Sequence, residues 1–80
     1  MIAEHHKILI HSHLLNAIAI DMSGFITPKN EFDREIRNIK DFKLRKNIPS
    51  DEVHALIEEY LIGLKCSSTM IKQFFEWSSL

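Results

Sequence analysis

Four of the chain's five histidines fall within nine positions, in the stretch HHKILIHSH at residues 5–13. Near neutral pH an imidazole binds transition metals, moves protons or switches charge. Metal ligation from one helix asks for two histidines four apart, as in zinc helices of the HisGluXaaXaaHis kind. No pair here has that spacing. His6 and His13 share a helical stripe but stand two turns apart, roughly 10 Å along the axis. His5 points elsewhere, with Ser12 and Asn16. His11 falls in the middle of an apolar arc formed by Ile8, Leu14, Leu15 and Ile18. His11 and His13 would share a face only on a strand. No cysteine pair completes a site, so neither a metal nor another cofactor is expected. A proton switch would rest on His11; the plainer reading of that residue is a core or interface imidazole satisfied by one hydrogen bond.

Other reactive groups are sparse. Cys66 is the only cysteine, which rules out an internal disulfide and fits a reducing compartment. Nothing in the sequence brings His54 to it as a dyad. Glu58 and Glu59 are adjacent and diverge on a helix. No glycine-rich phosphate loop and no nucleophile elbow is present. An enzyme is therefore not expected, nor a small-molecule substrate.

Nucleic-acid chemistry has two weak signals. Lys40, Lys43, Arg45 and Lys46 crowd the segment KDFKLRK, and such a cluster can contact phosphates. Cations at the end of a helix are also favoured by its dipole, without any ligand. Residues 53–77 read loosely as a helix-turn-helix unit, with Lys72 and Gln73 on the second helix. The turn is about one residue too long, Phe74 and Phe75 are large for a helix in a groove, and the preceding helix is acidic. A small DNA-binding regulator is the alternative reading.

These residues must be positioned by a small framework. Eighty residues make a single helical domain, 1–80, with a thin core. Hydrophobic residues are 45%, charged residues 26% and the net charge −1. That composition is globular, and its charge steers the chain to neither nucleic acid nor anionic lipid. The longest apolar stretch, ILIHSHLLNAIAI, is too short and polar to span a membrane. It is also a poor signal peptide, so a cytoplasmic location is expected.

Periodicity predicts four helices. The first is read from Ala3 to Met22, stopped by Gly24. Thr27 and Pro28 announce the second, with Thr27 as N-cap and Phe32, Ile36, Ile39 and Phe42 on one face. Asp33–Arg37, Arg37–Asp41 and Asp41–Arg45 stand four apart on its outside. Ile48 and Pro49 end it. Ser50 can cap the third, which has Asp51 and Glu52 in its first turn and carries Val53, Leu56, Ile57, Tyr60, Leu61 and Leu64 as one stripe. The fourth is capped by Ser67 or Ser68 and faces inward through Met70, Ile71, Phe74 and Phe75. Short connections predict an all-α, compact four-helix arrangement of short antiparallel helices.

The apolar surface exceeds what that arrangement needs. Ile2, Leu9 and Ile20 form a second ridge on the first helix, and large aromatics occupy more than one side of the fourth. A homodimer is expected, with Leu9, Ile20, Phe74, Phe75 and Trp77 as interface residues. The reading is a small protein-interaction module that binds another protein through an apolar helix face, of the adaptor, inhibitor, chaperone or immunity type.

Overall fold

A computed structural model describes residues 2–80, and it is mostly helical. Its elements are α1 (Glu4–Ala17), a two-residue hairpin of β1 (Ile20–Asp21) and β2 (Gly24–Phe25), then α2 (Lys29–Arg45), α3 (Ser50–Gly63) and α4 (Ser68–Ser78). The radius of gyration is 11.9 Å, close to the value of about 12 Å for a packed chain of this length. The closest helix pairing is α1 against α2, with α3 also touching α1.

The first helix is shorter than its sequence predicts. It ends at Ala17, and Ile18 turns extended (φ −119°, ψ 107°) while its N–H still bonds to Leu14. The β-branched Ile18 and Ile20 favour the extended backbone, and a local turn then takes over. The Asp21 carboxylate accepts the Ser23 N–H at 2.8 Å and its hydroxyl at 2.6 Å, an Asx turn. Gly24 holds φ +116°, a value that side chains avoid, inside the hairpin and not as the cap of a helix. Ile20 pairs with Phe25 and Asp21 with Gly24. The four expected helices are present, and this hairpin of two residues per strand is added between the first and second.

The facing of α1 also differs from the wheel reading. Ile10, Leu14 and Ala17 are buried, whereas Ile8 and Leu15 lie exposed. Apolar side chains surround this helix, so periodicity did not choose a face; contact with α2 did. Ile2, placed on the outer ridge from the sequence, is buried in the core.

The second helix follows its pattern at Ile36, Ile39 and Phe42, all buried, with Phe32 half-buried. Its start is moved by one residue. Pro28 is the N-cap, because the Thr27 hydroxyl accepts the Ala19 N–H at 2.8 Å and so ties the hairpin to the helix. An i,i+4 ion pair forms between Lys29 and Asp33 at 2.7 Å. The end is a Schellman motif: Ile48 N–H bonds to Lys43, Asn47 N–H to Leu44, and Asn47 takes the left-handed φ of 54°. At the end of α3 the same device recurs, with Lys65 at φ 64° and Cys66 N–H bonded to Leu61. Gly63 is the last helical residue of α3.

The third helix buries Val53, Leu56, Ile57 and Leu61, as its stripe predicts, but leaves Leu64 exposed. Ser50 is its first helical residue and not its cap; the Ser50 hydroxyl instead accepts from Lys43 Nζ at 3.1 Å. The fourth helix is capped as expected by Ser67, whose hydroxyl accepts the Met70 N–H at 3.2 Å. Phe74 is its central anchor, 0% exposed, against Phe25 and Phe32.

Candidate functional site

Phe25, Phe32, Phe74 and Trp77 come together from three elements. Phe25 arrives from β2, Phe32 from the first turns of α2, and Phe74 and Trp77 from α4. Phe74 fills the floor, edge-on to Phe32 with ring centres 5.6 Å apart. Trp77 stands edge-on to Phe25 at 5.7 Å, yet 55% of it remains in contact with solvent. Beside it lies an open cleft of about 310 Å3 lined by Lys29, Phe32, Asp33 and Trp77. An apolar wall and an exposed indole rimmed by an ion pair suit an apolar side chain of a protein partner.

Among the five residues predicted as interface, positions differ. Trp77 lines the aromatic cleft. Leu9 is partly exposed and lines a separate groove with His13, Asn38, Asp41 and Arg45. Ile20 lies on the hairpin, at its edge partly exposed. Phe75 is half-buried, stacked on His54 at 3.8 Å between ring centres. Phe74 is buried inside the chain's own core and has no surface left to offer, because the hairpin brings Phe25 over it. The structure thus gathers neither Leu9 nor Ile20 with the α4 aromatics.

The basic residues are likewise divided. Arg45 faces the α1 groove, with its guanidinium 5.9 Å from the Phe42 ring centre. Lys40 lines a hollow on the other flank of α2, with Ser78 and Ser79. Lys43 bonds to Ser50. Lys46 is exposed at the helix end, and Lys72 and Gln73 are exposed on α4. A cluster in sequence is therefore spread around the helix.

The histidines act as packing groups. His13 donates from Nδ1 to Glu35 Oε2 at 2.7 Å, across the α1–α2 contact; the two side chains are 23% and 9% exposed. Glu35 Oε1 lies 3.9 Å from Arg34 Nε. His11 leans on Tyr60, ring centres 5.4 Å apart. His6 packs edge-on to Phe42 at 5.2 Å and beside His5. Burial, then the neighbouring His5 and Lys46, hold the His6 pKa below the ordinary histidine range. Among the described residues no group of three or more metal-binding side chains comes together.

Burial pushes the pKa of the Cys66 thiol up, which keeps it from the reactive thiolate form. The Tyr60 hydroxyl is raised by burial too. Asp21 is held below the usual carboxylate range by the hydroxyl of Ser23 and then by its N–H.

Two features escaped sequence reasoning. The cleft joins Lys29, Phe32 and Asp33 of α2 to Trp77 of α4, residues too far apart in sequence for periodicity to bring together. The His13–Glu35 pair did leave a signal: Glu35 precedes Ile39 by four and Phe42 by seven, on the apolar face of α2.

The chain matches no family model, no curated protein and no solved structure. No helix among the described residues is long and apolar enough to cross a membrane.

Proposed function

We propose that the chain is a small protein-interaction module, of the adaptor, inhibitor, chaperone or immunity type, that also pairs with a second copy of itself. Its mechanism is occlusion: the aromatic cleft takes an apolar side chain from a partner protein and covers the partner's own contact surface. The observation that carries this reading is Trp77, more than half exposed at the mouth of an apolar cleft, while Phe74 beside it is fully buried. Aromatic anchors beside a small pocket are the features that dominate protein contacts. The ion pair of Lys29 and Asp33 on the rim fixes orientation and encounter rate more than strength.

The test compares the wild-type chain with Trp77→Ala as bait for partner proteins. Since more than half of Trp77 is exposed, the substitution should keep the helical content and the cooperative melt, at a melting temperature lowered by the lost Phe25 contact. Proteins retained by the wild type should be lost from the variant. Identical retention by both baits would refute the cleft as the binding site.

A further inference from the structure

The aromatic cleft has a neighbour. A second hollow, of about 270 Å3, shares Asp33 and Trp77 with it and is lined further by Arg37 and Lys40 of α2 and by Ser78 and Ser79 at the end of α4. The two adjoin along the line where α2 meets α4, one apolar and the other basic. We propose that they take one short protein segment, in which an apolar side chain has a pair of carboxylates two or three residues away. The inference rests on the reading of the Trp77 cleft as a binding site and names the chemistry of what enters it.

Charge selects the occupant. Asp33, Arg37 and Asp41 are spaced for ion pairs with one another, and none forms. Asp33 turns instead to Lys29, at 2.7 Å, and Asp41 lines the separate groove against α1. Among the described residues, the side chains of Arg37 and Lys40 therefore make no ion pair or hydrogen bond. Among them too, Asp33 is the only carboxylate lining either hollow, and Lys29 already holds it. The last carbonyls of α4 present about half a negative charge, which offsets a part of the two free cations and leaves the rest unmatched. Carboxylates of a partner match them, and at a half-open rim they set specificity and encounter rate.

Spacing fixes the motif. Lys29, Asp33, Arg37 and Lys40 share one stripe of α2, about 16.5 Å long. Phe32 and Trp77 wall the cleft at its first half. From Asp33 the helix rises about 6 Å to Arg37 and about 10.5 Å to Lys40. Those are the lengths of about two and three residues of extended chain. An apolar anchor beside Trp77 thus sets carboxylates two and three positions away against the cations.

A nucleic-acid strand fits less well. An indole can stack on a base, but the backbone then needs a track of cations. Here the track ends after Arg37 and Lys40, since Arg45 faces the α1 groove and Lys43 bonds to Ser50.

The test selects a phage-displayed library of random dodecapeptides, made without tryptophan, on the wild-type chain. Enriched peptides should share an aliphatic or phenylalanine residue with two Asp or Glu within three positions of it. Trp77 is the only tryptophan of the chain, so a shift of its emission reports binding of the synthetic peptides. Their affinity should weaken as salt is raised. It should fall at least about tenfold for the double variant Arg37→Glu with Lys40→Glu, with circular dichroism unchanged. Selection on that variant should enrich Lys or Arg in place of the acids. Apolar peptides without acidic bias, held equally by wild type and double variant but lost on Trp77→Ala, would overturn the proposal and leave the cleft standing. Peptides that bind undiminished to Trp77→Ala would remove the cleft as well. No enriched motif, or retention of random single-stranded oligonucleotides in preference to peptides, would also overturn the acidic partner.

Discussion

Replacing His13 by Ala should leave Glu35 buried without its partner. The carboxylate is 9% exposed and accepts from His13 Nδ1 at 2.7 Å, while Arg34 lies 3.9 Å from its other oxygen. A hydrogen bond to a charged group contributes about 1.5–3 kcal/mol, and breaking a fully buried pair costs about 3–5 kcal/mol. His13 is itself 23% exposed, so water can reach the site when the ring is removed. The lower range applies, and we expect a loss of about 2 kcal/mol. For a domain of this size that corresponds to a fall in melting temperature of roughly 8–16 °C. Urea unfolding followed by circular dichroism measures it, and a double-mutant cycle with Glu35→Leu isolates the pair. The double variant should cost less than the sum of the singles, because no charge is then stranded. A loss under about 0.5 kcal/mol for His13→Ala, or strict additivity in the cycle, would refute the view that this pair fastens α1 to α2.

Other expectations follow from the same packing. Phe74→Ala should cost about 3–5 kcal/mol, a large part of the stability of so small a domain, and bring it close to unfolding at room temperature in a thermal melt. Lys65→Gly should raise stability by about 1 kcal/mol by relieving the left-handed residue that ends α3; no gain in the urea midpoint would mean the turn holds no such strain. Gly63→Ala should add about 0.5–1 kcal/mol, since a Cβ there meets open space and the residue is helical. Because His6 has a lowered pKa in the folded chain, the unfolded chain binds its proton more readily. Its contribution is complete above the unfolded value of about 6.5 and is lost as pH falls from there through the lower folded value. His6→Gln should flatten this part of the stability–pH curve; an unchanged slope would place the dependence on another group.

Much of the framework was legible in the residues. The apolar faces of α2 and α3 are regular, and each found a core to pack against at the spacing read from it. Ser67 stood where a capping hydroxyl was needed. The chain after Ala17 was misread because a long run without Gly or Pro looked like one helix, whereas Asp21, Ser23 and Gly24 formed a local turn that competed with it and won. The face of α1 was misread for a different reason. Ile8, Ile10, Leu14 and Leu15 surround the helix, and only the tertiary contact with α2 chooses among them. Trp77 was singled out from its type and place, but the cleft beside it was not, since Lys29, Phe32 and Asp33 reach it from α2, distant in sequence. The histidine cluster separates into three packing environments, His13 on Glu35, His11 on Tyr60, and His5 beside His6 on Phe42; His54, outside the cluster, stacks on Phe75.

We propose contact with other polypeptides from the exposed indole of Trp77, and mass in solution is the shortest test of the proposed self-pairing. Light scattering across a hundredfold range of concentration should show the average mass climbing from the 9.4 kDa of one chain toward twice that value. A mass fixed at that of a single chain over the whole range would contradict the account.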